Sequence, residues 1–376
     1  MDRLSDLPDC ILLHILSFLP ETRRCVQTTL LSKRWNNLWT SVPDLIFRGY
    51  EESRNAHALK KFVRHVLSRR QNLPLNKLYL KYHGKDKSFI TRIIKYAISH
   101  NVQHFSLYLQ KQKQSGLYQE SASLESLLPL FNICGSLKTL DLVAFSDIHL
   151  LEDFTLPNLT SVRLCQCNFR NGSDVESTSI DPFVGLFNLN SLQLVSCYVC
   201  GKFPKLKISG PQLHSLTISG YSDYNEVEVI APKLQILSLD SLWGFSHLDF
   251  PLLEMVEPLS GILCLPRPPI DNDKFGRLYN AKALVLSLDI IMGLMEYLDL
   301  VKDQSYSSPF VRLTTLKVRC PPHLMMSSFN VPDNIIKYFG DNVTVKSAAN
   351  RAVDLLRGEL QQVIKECDDH FTASPV

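Results

Sequence analysis

The fold is decided by a short repeated motif, which is clearest in the stretch PKLQILSL at positions 232–239. Its aliphatic residues Leu234, Leu237 and Leu239 follow the pattern Leu-x-x-Leu-x-Leu. Side chains alternate along an extended chain, so the second and third leucines point to one side and the residue between them to the other. One such strand cannot bury its apolar side alone, whereas a stack of parallel copies can.

The motif returns along most of the chain at a nearly regular spacing. From Leu140 to Leu237, its middle positions are separated by steps of 22, 30, 24 and 21 residues, which is typical of leucine-rich repeats. A set of unrelated Leu-rich core strands is the alternative. The clear copies are Leu75-Leu78-Leu80, Leu137-Leu140-Leu142, Leu159-Val162-Leu164, Leu189-Leu192-Leu194, Leu213-Leu216-Ile218, Leu234-Leu237-Leu239 and Leu313-Leu316-Val318. The weaker copies are Val102-Phe105-Leu107, Leu253-Val256 and Ala281-Leu284-Leu286.

Prolines support this register. Pro157, Pro211, Pro232 and Pro251 each lie two residues before the first aliphatic of a copy, where we expect the start of a strand to tolerate them. We therefore predict an α+β chain with an α/β-type repeat. Its largest part, residues 75–320, is an irregular leucine-rich-repeat solenoid with parallel strands on the concave face.

The residues between the inward-pointing aliphatics should line that concave face. Solenoids often bind their partners there, although insertions at 110–123 and 168–185 are competing binding sites. The predicted substrate-binding residues are Asp141, Arg163, Gln193, Thr217, Ser238, Asp240 and Lys317.

Both ends of the chain have helical rather than repeat patterns. Residues 1–50 predict three short helices: one ending at Pro20, a second over 23–29 and a third over 33–39. Residues 51–74 predict a linking helix. Residues 321–376 predict a C-terminal cap with a helix at about 347–367, for which binding of a partner is the alternative role.

The N-terminal segment resembles the F-box motif in its plant form. The resemblance is carried by LPDCIL at 7–12, ILSFLP at 15–20 and LLSKRWNNLW at 30–39. With the repeats behind it, the whole chain resembles the plant F-box/leucine-rich-repeat family. The C-terminal FBD segment that many members carry is not recognisable.

This resemblance implies the substrate-recognition subunit of an SCF-type ubiquitin ligase. The F-box would dock a Skp-type adaptor, which connects to a cullin, and the repeats would hold an unknown protein substrate. A motif this small cannot bury all its apolar residues, so some should stay exposed until a partner covers them. The expected adaptor-binding residues are Leu7, Pro8, Ile11, Leu12, Ile15, Leu16, Val26, Leu30, Lys33, Arg34 and Trp35. For Trp35, as for Leu38 and Trp39, packing in the core is an equal alternative.

No motif points to catalysis or to a cofactor. The sequence has no Walker or dinucleotide glycine loop, no His-Glu-x-x-His and no Gly-x-Ser-x-Gly, so we expect no enzyme and no catalytic residue. Cys165, Cys167, Cys197 and Cys200 could in principle hold zinc. However, Cys167 and Cys197 occupy the Asn/Cys turn position of the repeat, so no metal is predicted.

Composition narrows the function classes further. The 376 residues are 45% hydrophobic and carry a net charge of +3, which favours neither nucleic acid nor membrane as a ligand. Ten cysteines without a secretory signal should be reduced thiols, which predicts the cytoplasm or the nucleus. Two other functions stay open: a repeat scaffold without a role in degradation, and a receptor for a small molecule.

Overall fold

Parallel β-strands run through most of the chain in the computed structural model. It describes residues 7–49, 53–70, 72–84, 86–109, 128–148, 155–169, 179–199, 205–219, 226–239, 245–247, 250–258, 278, 280–288, 291–292, 294–295, 298, 310–319, 331–340 and 342–347. The chain forms two compact units. The first comprises residues 1–238 and 243–252, and the second comprises residues 239–242 and 253–376.

The N-terminal segment consists of two α-helices and three 3₁₀ turns. Helix α1 is Asp9–Ser17 and α2 is Thr22–Gln27, and the turns are Thr28–Leu30, Lys33–Asn36 and Leu38–Ser41. The third predicted helix is therefore wrong, because Asn37 separates two 3₁₀ turns. Local side-chain bonds favour the break: the Trp39 indole donates to the Asn36 carbonyl and the Thr40 hydroxyl to that of Asn37.

The main sheet of the first unit contains every repeat strand predicted there, in parallel order β1-β2-β3-β4-β5-β7-β10-β12. In each predicted copy of this unit the three aliphatic residues are buried. Strand β1 carries a copy that the sequence analysis missed, Val42-Leu45-Phe47, and all three of its residues are buried. The strands are β1 Asp44–Arg48, β2 Lys77–Tyr82, β3 His104–Leu109, β4 Thr139–Ile148, β5 Ser161–Phe169, β7 Ser191–Val195, β10 Ser215–Ser219 and β12 Ile236–Leu239.

Three of the regularly spaced prolines, Pro157, Pro211 and Pro232, lie in tight turns and not at the start of a strand. In the turn of residues 156–159 the Leu159 amide donates to the Leu156 carbonyl at 3.1 Å, with Pro157 at the second turn position. Pro211 and Pro232 have the same place in equivalent turns. Proline suits this position because its ring fixes the φ angle that such turns need. The expected position of these prolines at the strand start is therefore wrong, because each lies in the turn that precedes the strand.

The segments between the main strands change from helices to strands along the first unit. Helix α3, Ser53–Arg69, follows β1 within the predicted linking segment, and α4, Lys87–Ser99, follows β2. Later segments instead form a second sheet of four short parallel strands, in the order β13-β11-β9-β6. These are β6 Ser179–Ile180, β9 Lys205–Ser209, β11 Glu226–Ile230 and β13 Phe245–His247, while β8, Tyr198–Val199, pairs with β5. Strict alternation of polar and apolar residues in β9 and β11 explains the change.

The second unit has its own parallel strands, β14 Met255–Pro258, β15 Ala283–Ser287, β16 Thr315–Arg319 and β17 Thr344–Ser347. They pair in sequence order, and a short helix, Asp333–Phe339, precedes β17. Ser347 is the last residue of β17. The remainder of the helix predicted at 347–367 lies outside the described residues.

Candidate adaptor-docking and substrate-docking surfaces

Helix α1 divides its apolar residues between two faces. The amides of Ile11 and Leu12 donate to the Pro8 carbonyl, so the helix begins directly after this proline. Leu12 and Leu16 are buried, at 0% and 1% exposure. Ile11, Ile15 and Phe18 are 44%, 37% and 75% exposed, and their spacing of four and three residues puts them on one stripe.

The segment after α2 adds two more exposed leucines. Leu30 is 87% exposed and Leu31 is 62% exposed, although both belong to an apolar motif. We call the exposed apolar residues of this segment the F-box apolar surface: Pro8, Ile11, Ile15, Phe18, Leu30 and Leu31. An apolar area of this kind on a folded chain indicates an interface.

Several residues expected to bind the adaptor are instead part of the core. Leu12 and Leu16 face inward, as does Trp35, which is 3% exposed beside the equally buried Trp39. Leu7 and Val26 are half-buried. Phe18 and Leu31 are not among the expected residues but are 75% and 62% exposed, and helical spacing from Ile11 and Ile15 indicates the position of Phe18.

The two basic residues that are expected to bind the adaptor, Lys33 and Arg34, are exposed. Arg34 Nη2 lies 2.8 Å from Asp9 Oδ1, with side-chain exposures of 37% and 65%. Exposed ion pairs of this type contribute little to stability. Lys33 and Arg34 are therefore exposed basic residues in the same segment as the F-box apolar surface.

The F-box segment is held directly on the first repeat. The Ile46 amide of β1 donates to the Thr22 hydroxyl of α2 at 2.8 Å, and the Arg23 guanidinium lies 5.5 Å from the Phe62 ring centroid on α3. Buried Arg70 donates to the Val42 carbonyl at 2.6 Å and to the Pro74 carbonyl at 3.0 Å. These contacts use the inner side of the segment and leave its outer apolar surface uncovered.

The residues predicted to bind substrate do form a row on the main sheet. Asp141, Arg163, Gln193 and Thr217 are direct partners in neighbouring strands. The first three are partly exposed, but Thr217 and Ser238 are 7% and 4% exposed. The prediction of Thr217 and Ser238 as contact residues is therefore wrong, since their side chains are covered. Asp240 and the insertion at 110–123 lie outside the described residues, and Lys317 is a partly exposed residue of the second unit.

A polar cluster occupies the open part of this row. The Tyr108 hydroxyl donates to Asp141 Oδ2 at 2.5 Å, and Arg163 Nη1 donates to the Tyr108 oxygen at 3.3 Å and lies 3.6 Å from the same carboxylate oxygen. Burial, and then the neighbouring Asp141 carboxylate, raise the pKa of Tyr108 well above its ordinary value. Burial also raises the pKa of Asp141 by more than the Arg163 charge lowers it.

Comparison with known proteins agrees with both parts of this architecture. The F-box domain family matches residues 4–47. An F-box/FBD/LRR-repeat protein of Arabidopsis thaliana is 29% identical over 64% of this chain and 54% of its own length. A further F-box/LRR-repeat protein of the same plant is 28% identical over 76% of this chain and 90% of its own length. The Arabidopsis F-box/LRR-repeat protein 25 is 27% identical over 63% of this chain and 85% of its own length. The chain belongs to the plant F-box/LRR-repeat family.

The chain spans only part of the length of several relatives that it matches. It spans 54%, 50% and 59% of the length of three of its Arabidopsis relatives. The names of two of these relatives refer to an FBD segment, which the sequence analysis does not recognise here.

Two cysteines of this F-box/LRR-repeat protein, Cys167 and Cys197, have equivalent positions two residues after the aligned pair Cys165 and Val195. Cys167 and Cys197 are buried and each follows a residue with positive φ, Gln166 at 58° and Ser196 at 49°. The Cys197 thiol donates to the Leu164 carbonyl at 3.4 Å. Burial, and then the neighbouring Cys197 thiol, raise the pKa of the Cys167 thiol well above its ordinary value, which disfavours the thiolate that a metal needs. The described residues contain no group of potential metal ligands, and Cys200 lies outside them.

No helix in the described part of the chain is long and apolar enough to cross a lipid bilayer.

Proposed function

We propose that this F-box/LRR-repeat protein is the substrate-recognition subunit of an SCF-type ubiquitin ligase. F-box domains in general bind Skp-type adaptors, and the F-box apolar surface is where we infer that an adaptor docks. The repeats then hold a protein substrate, and a cullin is reached through the adaptor.

One observation carries the proposal. Five large apolar side chains of a segment of about 45 residues are 37–87% exposed, while the tryptophans of the same segment are buried. Exposing that much apolar surface is unfavourable in water, and covering it favours association. Pro8 lies at the edge of this surface and is also exposed.

The proposed role requires no chemistry from this chain. A ligase subunit that holds a substrate near a ubiquitin-charged enzyme raises the effective concentration of the target lysine. The transferred ubiquitin and its reactive bond belong to other proteins of the complex. The described cysteines are free, as in the cytoplasm or the nucleus, where we propose that the protein works.

The test is co-purification with a Skp-type adaptor after co-expression. We expect the full chain to retain the adaptor, and the variants Ile15→Asp and Phe18→Asp to lose it, because each buries a charge in the apolar contact. Phe187→Asp is the matched control, since Phe187 is 61% exposed and lies outside the F-box. Circular dichroism of each variant verifies folding.

Retention by the wild type and by Phe187→Asp, with loss in both F-box variants, supports the adaptor role. If the folded wild-type chain does not bind the adaptor, the proposal is wrong and a non-degradative repeat scaffold is the better account.

A further inference from the structure

A groove crosses the turns that precede β5, β7 and β10, and we call it the turn groove. Its volume is about 630 Å³, which is within the range of sites that hold small ligands. Each of the three turns contributes one amide side chain, namely Asn158, Asn188 and Gln212. All residues that line the groove fall between positions 157 and 214, so the groove belongs entirely to the first unit.

The lining of the turn groove is polar but carries no Lys, Arg, Asp or Glu. Next to the turn amides, the residues that directly precede the aligned first positions of the three strands are Thr160, Asn190 and His214. Ser161 and Ser191, the first residues of β5 and β7, add two hydroxyls. Recognition of carboxylates and phosphates usually relies on Arg or Lys. This lining therefore suits a neutral ligand that is rich in hydroxyl or amide groups.

Several of these side chains are held in place by hydrogen bonds. Asn188 Nδ2 donates to the Pro157 carbonyl of the neighbouring turn at 2.7 Å. Lys233 Nζ, which is not part of the lining, donates to Gln212 Oε1 at 2.6 Å. Asn190 Nδ2 and His214 Nδ1 lie 3.1 Å apart. Side chains that are already fixed lose little conformational entropy when a ligand binds.

The hydrogen-bonding capacity of the turn groove is only partly used. A side-chain amide has two N–H donors and an oxygen with two lone pairs. Asn188 uses one donor, and its Oδ1 accepts no hydrogen bond from the described residues. The hydroxyls of Ser161 and Ser191 are partly exposed and likewise have no hydrogen-bond partner in the described part of the chain. These groups are therefore free to donate to and accept from a ligand.

The geometry of the turn groove does not suit an extended peptide. The amides of Asn190 and Ser191 both donate to the Thr160 carbonyl, and those of His214 and Ser215 donate to the Asn190 carbonyl, so these backbone groups are already paired. Neighbouring strands are about 4.7–4.9 Å apart, whereas an extended peptide presents groups on one side only about every 6.6 Å. A peptide would therefore fall out of step with the side chains of successive repeats.

A carbohydrate suits the turn groove better. Its hydroxyls surround each ring, and every hydroxyl can both donate and accept. Phe187, in the same turn as Asn188, is 61% exposed and offers an aromatic ring on which the C–H face of a sugar can pack.

We propose that the turn groove binds a neutral oligosaccharide through Asn188, Asn190 and Ser191 and the equivalent polar side chains before β5 and β10. The oligosaccharide is either free or linked to a protein, since both present the same hydroxyls. This inference goes beyond the proposed function, because it requires no adaptor.

The test measures binding of cellotriose, maltotriose and tri-N-acetylchitotriose to the full chain by isothermal titration. We expect at least one of them to bind the wild type, and Asn190→Ala to weaken that binding by about fivefold, because each neutral hydrogen bond contributes a factor of about 2–10. Ser191→Ala, which removes one hydroxyl, serves if the first variant does not fold. The matched control is Asn72→Ala, since Asn72 is an exposed asparagine outside the groove.

Weaker binding in Asn190→Ala and Ser191→Ala, with little change in Asn72→Ala, supports the proposal. Failure of all three trisaccharides to bind the wild type, or an equal loss in Asn72→Ala, overturns it. Tighter binding of a neutral peptide of Gly, Ser and Asn, lost in the groove variants, also overturns it, since the groove would then serve a polypeptide.

The source of the sugar is distinguished with the same trisaccharide coupled to serum albumin, for which uncoupled albumin is the control. Binding of the coupled form at least as tight as that of the free form supports a sugar linked to a protein. Binding of the free form alone supports a free sugar.

Adaptor co-purification from the same preparations separates this inference from the proposed function. Asn190→Ala should still retain the adaptor, because the F-box apolar surface is unchanged. A wild-type chain that binds the adaptor but none of the trisaccharides refutes only the sugar inference. A wild-type chain that binds a trisaccharide but not the adaptor supports the sugar site and refutes the ligase role.

Discussion

The substitution Leu30→Ala tests whether an exposed leucine of the F-box serves a partner. Leu30 is 87% exposed, so most of its side chain is available to be covered by the adaptor. Full burial of a leucine side chain contributes about 1.5–3 kcal/mol. Since alanine keeps part of that area, we expect a loss of about 1–2 kcal/mol of binding free energy, or about 5–30-fold in Kd. Isothermal titration with a purified Skp-type adaptor measures it.

The same substitution at Leu12 gives the matched control. Leu12 is 0% exposed, so Leu12→Ala leaves a cavity and should lower the free energy of unfolding by about 2–5 kcal/mol. Leu30→Ala should change that free energy by no more than about 0.5 kcal/mol, because its side chain has few internal contacts. Thermal and urea unfolding provide the comparison. Unchanged adaptor affinity in Leu30→Ala, or destabilisation as large as that of Leu12→Ala, would refute the division of the F-box into an inner and an outer face.

Three further predictions concern the repeat body and the surface thiol. Asp86 caps α4 by accepting from the Phe89 amide, and hydrogen bonds, first from Lys60, hold the pKa of its carboxyl below the ordinary value. Asp86→Ala should therefore lower the free energy of unfolding by about 0.5–2 kcal/mol at pH 7. The difference in this free energy between the variant and the wild type should shrink as pH falls below about 4, because the carboxyl of the unfolded chain then takes up a proton. Arg70→Ala should cost at least about 2 kcal/mol in urea unfolding, because buried carbonyls lose a charged donor, and Arg70→Lys should recover only part. Cys10 is exposed on α1, whereas Cys25 is buried and burial raises the pKa of its thiol to about 11. We therefore expect Cys10 to react quickly with DTNB, and the substitution Cys10→Ser to remove this fast reaction. Binding of the adaptor should also slow it.

Strands β2 to β5, β7, β10, β12 and β14 to β16 could be predicted because the spacing of the leucine motif specifies which of their positions are buried. In Leu213-Leu216-Ile218 the three aliphatics are 0%, 0% and 5% exposed, as the spacing requires. The copy Val42-Leu45-Phe47 follows the same rule, but it begins inside the stretch that resembles an F-box. The stronger resemblance of this stretch to an F-box therefore hides the leucine-type motif within it.

The segments between the main strands could not be predicted from the leucine motif. That motif specifies only the main strand of each repeat, and the rest of the repeat may be a helix or a strand in different proteins. Alternation in Lys205-Leu206-Lys207-Ile208 is the local signal for a strand, whereas Ile90, Ile93, Ile94 and Ala97 have the helical spacing seen in α4.

The residues of the adaptor surface could be assigned only in part. Ile11 and Leu12 are adjacent in sequence, and the turn of about 100° between them in a helix puts them at opposite edges of one broad apolar face. Sequence spacing shows that face but not which edge meets the core. The contacts of the F-box with β1 and α3 decide it, and those contacts depend on tertiary structure.

Hydroxyl-radical footprinting of the full chain, with and without a Skp-type adaptor, tests the central claim most directly. The reaction rates of Phe18, Leu30 and Leu31 should fall when the adaptor is added, while that of Phe187 should not change. Unchanged rates at the three F-box residues, in a sample where chain and adaptor elute together, would contradict the claim that the exposed F-box side chains form the docking surface.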